Sequence, residues 1–278
     1  MKVIPLTGTI GAEIVGARVT DPDDFQQIFD AFAEHSVVVI RDQQCTPGDH
    51  LAFARRFGQI NVNRFFKPVV GYPEIATVLK EKDQTEAVGE GWHTDHSYDE
   101  VPAMGSILRA LEVPPFGGDT LFVSMAAAYE ALSPSMRKFV DGLSAVHSSR
   151  HVFGSSISDS EAATSGRLGN ADAATQDATH PMVITHPISG RRGLYVNPVF
   201  TTHIQGLNPD ESLAILAMIY EHCKQPEFQC RVRWSAGDIA IWDNRATWHK
   251  AINDYHGFRR LMHRVTIEGV PLGAAVAA

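Results

Sequence analysis

The chain is poor in the features that mark several protein classes. Its three cysteines, Cys45, Cys223 and Cys230, are odd in number and lack CxxC spacing. Reduced thiols in a cytoplasmic protein are therefore expected, with no disulfide framework. The longest apolar run, Val37-Val38-Val39-Ile40 with its neighbours, is far too short to span a bilayer. The N-terminus has no apolar signal region and carries Glu13 and Asp21 early, which speaks against a secretory signal. Basic residues number 24 against 32 acidic ones, a net charge of −8, and no basic tract offsets the sum. Neither nucleic acid nor a membrane is expected as a partner. No GxSxG context offers a nucleophile, and no internal repeat or domain linker breaks the 278 residues. One domain over 1–278 is expected.

Histidine is plentiful, with 13 residues, a hint of metal or acid–base chemistry. Phe25, Ile28, Phe29 and Phe32 share one face of a helix over 24–35, and Val37 to Ile40 reads as a buried strand. Thr46-Pro47, Ser133-Pro134 and Asn208-Pro209 each read as an N-cap followed by proline at the first helical position. The third helix carries Leu213, Leu216, Ala217 and Tyr220 on one face. Strands are expected at 106–111, 120–124, 228–234, 238–242 and 261–267, giving an all-β core with helices packed outside. His35, His50 and His222 fall on helices and are expected at the surface or half-buried. The stretch 154–179 is rich in Ser, Ala, Thr, Gly and Asp and reads either as a surface insertion or as a lid over a site.

Trp92-His93-Thr94-Asp95 carries the first chemistry. In an extended strand His93 and Asp95 point to one side and can chelate one cation. HxD alone is a weak signal, and a second imidazole is needed. Trp242-Asp243-Asn244-Arg245-Ala246-Thr247-Trp248-His249 supplies one at a strand end. Two imidazoles and a carboxylate leave about three positions open on an octahedral metal, which suits Fe(II), although zinc could use the same ligands. Further on, Arg260, Met262 and Arg264 share one face of a strand. Buried arginines on such a face call for anions, bidentate carboxylates above all; the alternative is an exposed edge strand with solvated arginines.

Together, His93-x-Asp95, Gly117-Gly118-Asp119-Thr120, Trp242-Asp243-Asn244-Arg245, His249 and Arg260 resemble the TauD/TfdA family of Fe(II)- and 2-oxoglutarate-dependent dioxygenases. The resemblance runs from Leu6-Thr7-Gly8 to Arg264. It implies a mainly β fold with flanking helices around a double-stranded β-helix, or jelly roll, with the metal inside its mouth. It implies His93, Asp95 and His249 as iron ligands and Thr120 as the hydroxyl that hydrogen-bonds a 2-oxoglutarate carboxylate. Arg260 matches the clamp on the distal carboxylate, Trp242 a residue lining that pocket, and Arg264 the arginine for the anionic group of the prime substrate. Fe(II) is the implied metal, with 2-oxoglutarate and O2 as co-substrates. The implied reaction decarboxylates 2-oxoglutarate to succinate and CO2 and hydroxylates a C–H bond. Relatives are commonly dimers or tetramers, so a homo-oligomer is expected.

The chain departs from the taurine users in two places. Asn63 stands where they carry a histidine, and His96 follows the HxD motif where Val or Ser is usual. Both are expected as substrate contacts, with Phe200 as an apolar wall. The stretch His147-Ser148-Ser149-Arg150-His151-Val152-Phe153-Gly154 is closer to aryloxyalkanoate-cleaving relatives. The expected substrate is a small anionic organic molecule hydroxylated beside a heteroatom, with an aryloxyalkanoate or related ether acid favoured over taurine, alkylsulfonates or alkylsulfates. A zinc hydrolase with the same triad, or a barrel that only binds organic acids, are the readings from other classes. The first leaves Arg260 unexplained, and the second leaves the metal ligands without a purpose.

Overall fold

The computed structural model describes residues 1–154 and 160–273. Seventeen strands are described: β1 (Lys2–Pro5), β2 (Ala12–Val15), β3 (Val37–Ile40), β4 (Ile60–Asn61), β5 (Pro68–Val69), β6 (Tyr72–Lys80), β7 (Gly105–Glu112), β8 (Thr120–Ser124) and β9 (Ser144–Ser148) come first. The rest are β10 (Asp177–Pro181), β11 (Val183–Thr185), β12 (Arg192–Leu194), β13 (Thr201–Ile204), β14 (Gln229–Val232), β15 (Ile239–Asp243), β16 (Thr247–Ala251) and β17 (Arg260–Ile267). Among the helices are α1 (Phe25–His35), α2 (Pro47–Arg55), α3 (Met125–Glu130), α4 (Pro134–Val140), α5 (Arg150–Phe153), α6 (Glu161–Thr164) and α7 (Pro209–Cys223). None of the described helices is long and apolar enough to cross a membrane.

A large sheet runs β1-β2-β3-β15-β7-β17-β6-β5, with β4 beside β17, and a smaller one runs β14-β8-β16. Alternation along the central strands decides which side each residue buries. Val37 and Val39 of β3, Leu108 and Ala110 of β7, Ala240 and Trp242 of β15 and Met262 of β17 meet Phe122, Cys230 and Val232 of the small sheet in one core. The two sheets thus face each other across a jelly-roll interior. Val38, Ile40, Ile107, Ile241 and Val265 point the other way and pack under Ile28 and Phe32 of α1 and Leu51 and Phe53 of α2. Burial on both faces is why the β3 run is uninterruptedly apolar. The mainly β fold with helices outside is the one expected from the sequence.

The caps act as read: Thr46 and Asn208 each form a capping box, with Asp49 and Glu211. Two details differ. The buried face of α7 is Ser212, Leu216, Ile219 and Cys223, while Leu213 is exposed. Ser212 turns inward because its hydroxyl accepts the Ile204 N–H at 2.8 Å, so a polar contact sets the helix rotation. His50 is not at the surface but fully buried under β7, its Nε2 donating to the Ile107 carbonyl at 3.2 Å.

Of the stretch 154–179, residues 155–159 lie outside the described residues. The remainder is tied down. Arg167 is buried and donates to the Leu79 and Glu86 carbonyls and to Glu161, whose carboxylate takes the Thr85 and Glu86 N–H groups. Leu168 and Ala174 pack with Phe65, Tyr98 and Phe200. Its composition hid these few anchoring side chains.

Burial pulls the imidazoles of His50 and His147 down to about 3 from an ordinary 6.5. Both stay neutral in the folded protein while the unfolded chain takes up a proton below pH 6.5. Their stabilising effect is whole above pH 6.5 and is lost as pH falls toward 3, by about 1.4 kcal/mol per pH unit for each. Urea unfolding between pH 7.5 and 5 should show this slope, reduced in His50→Leu; an unchanged slope in that variant would contradict the assignment.

Candidate active site

The site is built on one strand pairing. His93 stands directly opposite His249 of β16 in an antiparallel bridge. Both backbone bonds are made: the His93 N–H donates to the His249 carbonyl at 3.1 Å, and the His249 N–H to the His93 carbonyl at 2.8 Å. Residues paired in this way project to the same face. The two imidazoles therefore lie side by side, ring centroids 4.0 Å apart. Asp95, two residues along, returns to that face. Its Oδ1 lies 3.6 Å from His93 Nε2 and its Oδ2 3.7 Å from His249 Nε2. All three donor atoms fall within 4.8 Å of one another and are buried. These separations are too long for hydrogen bonds, so the donors converge on a shared point and not on each other.

The donors are set for a metal. His93 Nδ1 donates to the Gly91 carbonyl at 2.8 Å, which leaves Nε2 as the bare ligand atom. Burial and the neighbouring His93 hold the His249 imidazole far below its ordinary range, hence neutral. Burial pushes the Asp95 carboxyl up, but Arg264 and the two imidazoles outweigh it and hold the group well below the usual carboxylate range. Arg264 Nη1 donates to Asp95 Oδ2 at 3.0 Å and the Ser106 hydroxyl donates to the same oxygen at 3.2 Å. Two neutral imidazoles and an ionised carboxylate, with open positions facing a cavity, fit a non-haem Fe(II) centre. Gly89 has φ +87°, and a Cβ there would sit 3.3 Å from His93 Cε1. A side chain would strain the backbone and crowd the ligand.

The Trp-Asp-Asn-Arg motif supports His249 from behind. Asp243 is buried and accepts from the Arg245 backbone N–H, Nε and Nη2 at 2.7–2.9 Å, and from His186 Nε2 at 2.9 Å. Arg245 and His186 overcome burial and hold its carboxyl well below the ordinary range. This knot closes the β15–β16 turn that aims His249. Trp242 lies 4.8 Å from the His249 ring, while Trp248, one residue before the ligand, is buried in a separate core with Val123 and Val196 and donates to the Val196 carbonyl at 2.6 Å.

A second polar end lies on the inner face of both sheets. Thr120 sits between Val232 of β14 and Ala251 of β16. Arg260 is buried, its Nε donating to the Gly118 carbonyl at 3.1 Å. Burial pulls the guanidinium down from its ordinary value, with Tyr255 and Asp119 opposing. Gly118 has φ +69°, and a Cβ there would come within 3.3 Å of Arg260 Cδ. Gly118 therefore leaves room for the arginine, while a side chain at Gly117 would strike Asp254.

His93, Asp95, His249, Thr120, Trp242, Arg260, Arg264 and Phe200 all line one cavity. Asn63 and His96 do not. His96 is buried, lies in the turn that begins at Asp95, and adopts φ +60°. Its Nδ1 lies 2.9 Å from Asp99 Oδ2 and its Nε2 3.4 Å from Asn63 Nδ2. Asn63 Oδ1 is taken by the Phe65 and Phe66 N–H groups, and Asp99 by Arg64. Asn63 and His96, expected as substrate contacts, are thus engaged with each other, with Asp99 and with the backbone of Phe65 and Phe66. The rest of the wall is apolar: Phe66, Val78, Val88, Leu108, Val152, Phe153 and Val199. Most come from loops or from strands without a chemical motif, so the sequence alone did not mark them; Val152-Phe153 lay inside a stretch already singled out.

Comparison with known proteins agrees with this geometry. Residues 2–266 match the family described as taurine catabolism dioxygenase TauD, TfdA family. An alpha-ketoglutarate-dependent sulfate ester dioxygenase of Pseudomonas putida is 35% identical over 98% of this chain and 91% of its own length. The alpha-ketoglutarate-dependent 2,4-dichlorophenoxyacetate dioxygenase of Cupriavidus pinatubonensis is 34% identical, over 89% of this chain and 88% of the relative. The crystal structure of a taurine dioxygenase from Burkholderia xenovorans superposes with a TM-score of 0.81 at 36% identity, covering 100% of this chain and 96% of that one. The chain belongs to the TauD/TfdA family and is an Fe(II)- and 2-oxoglutarate-dependent dioxygenase.

Proposed function

We propose that His93, Asp95 and His249 hold the iron, and that Thr120 and Arg260 hold 2-oxoglutarate beside Trp242. Arg264 and Phe200 receive an anionic substrate with an apolar body, which is hydroxylated at a C–H beside an ether oxygen. When bound, iron and 2-oxoglutarate supply the oxidising power: 2-oxoglutarate leaves as succinate and CO2, and one atom of O2 enters the C–H bond. The chain's own residues bind, orient and exclude water. Arg260, buried at the closed end, offers the guanidinium fork that matches a carboxylate. Arg264 holds Asp95 in place and presents positive charge on the iron side of the cavity.

The observation that carries the substrate reading is the wall. Phe153 and Phe200 line the cavity 5.8 Å apart, and the buried Phe65 and Tyr98 back them at 4.2 and 6.0 Å from Phe153. Such a surface favours a flat apolar body. Among the described lining residues Asp95 is the only acid, and Arg264 already pairs with it. Sulfate esters are the second reading, because the Pseudomonas relative so named is as similar as the 2,4-dichlorophenoxyacetate enzyme. Of the stretch 154–179, residues 160–179 act as a lid over this wall, with Leu168 and Ala174 packed beside Phe200.

Five outcomes are expected. Fe(II) titration by calorimetry should show binding lost in His93→Ala; full succinate turnover by that variant would contradict the ligand assignment. Arg260→Ala should raise the KM for 2-oxoglutarate roughly 10- to 100-fold, the loss of a charged hydrogen bond. Arg264→Ala should weaken the prime substrate instead, with a looser metal site; equal co-substrate defects and unaltered substrate affinity in both would refute the division. Succinate release across aryloxyalkanoates, alkyl sulfates and taurine should favour the first class, and hydrogen exchange in 160–179 should slow when that substrate binds. A preference for taurine, or exchange indifferent to substrate, would overturn those two readings.

A further inference from the structure

Trp234 is not among the residues that line the cavity, yet it meets both Thr120 and Arg260, which do. It lies two residues beyond Val232, which pairs with Thr120 across β14 and β8. That register carries the indole over the small sheet into the core between the two sheets, where it is buried with Phe122, Met262 and Trp242. Its Nε1 donates to Thr120 Oγ1 at 3.0 Å. Its ring lies 5.8 Å from Arg260 Cζ. One side chain therefore meets the hydroxyl with its edge and the guanidinium with its face.

We infer that Trp234 is a positioning residue that fixes the direction of the Thr120 hydroxyl proton for the 2-oxoglutarate carboxylate. An indole N–H can only donate, so Thr120 Oγ1 must accept from it. With that lone pair taken, the hydroxyl has its single proton free to donate. Thr120 and Arg260 both open onto the cavity, so the proton is offered where the arginine also points. Without the indole N–H the hydroxyl could rotate and present a lone pair to the carboxylate, which would repel it. The inference rests on the reading that Thr120 and Arg260 hold 2-oxoglutarate.

The edge and face roles can be separated. Trp234→Phe keeps an aromatic face for Arg260 and removes the N–H. Replacement of Trp234 by 3-benzothienylalanine keeps the shape of the indole and removes only the N–H, which covers the case in which the phenylalanine variant folds poorly. The measurement is calorimetric binding of 2-oxoglutarate to the anaerobic Fe(II) protein, for wild type, each Trp234 variant, Thr120→Val and the double variants. Either Trp234 change should weaken binding about tenfold, the scale of one buried hydrogen bond. It should weaken binding no further once Thr120 is valine, since no hydroxyl remains to orient. In the wild type the Trp234 indole 15N–1H resonance should also shift when 2-oxoglutarate is added. If Thr120→Val binds 2-oxoglutarate as wild type does, the Thr120 reading itself fails. If Thr120→Val weakens binding while the benzothienyl variant does not, or if the two effects add in full, the Trp234 inference is overturned and the Thr120 reading stands.

Discussion

The exchange of two backbone hydrogen bonds between His93 and His249 is the constraint on which the site depends. It converts a sequence separation of more than 150 residues into two imidazoles on one face. Asp95 follows from the two-residue period of the same strand. A slip of one residue in this pairing would put Trp92 or Thr94 toward the metal and send the ligands outward. The surrounding structure guards the register. Thr94 donates to the Thr247 carbonyl at 2.9 Å, and the Asp243–Arg245–His186 knot closes the turn before His249.

A second constraint is electrostatic. The interior holds Arg260 and Arg264 with little compensating charge: Arg264 has Asp95, and Arg260 has a carbonyl and an aromatic face. Burying a guanidinium in this way is costly unless an anion joins it. An acidic chain with a net charge of −8 can thus concentrate positive potential at one cavity. The apolar wall strengthens that field by excluding water. His249 and Thr120 of the small sheet and Arg260 and Arg264 of the large one thus meet across the interior of the jelly roll.

The sequence disclosed the parts that obey a short-range rule. The inward Arg260 and Arg264, the caps of α2 and α7 and the central strands all follow from period or capping chemistry, and the pairing of His93 with Asp95 from their spacing. The contacts of Asn63 and His96 with each other and with Asp99 were not legible, because His96 lies in the turn after Asp95 and adopts φ +60°. His50 was misplaced because a helix position says nothing of what covers it. The rotation of α7 depended on Ser212 meeting Ile204, and the role of Trp234 on a register between β14 and β8. These are long-range contacts, and no local pattern announces them. The chemistry was legible because it repeats along the chain; its supports were not, because they are made across it.

The most direct test of the account is the anaerobic absorption spectrum of the Fe(II) protein as 2-oxoglutarate is added. A visible charge-transfer band should grow to saturation at one 2-oxoglutarate per chain, and should be absent in His249→Ala. A spectrum that does not change in the wild type, or a band of full strength in the variant, would contradict the assignment of the paired histidines to the iron.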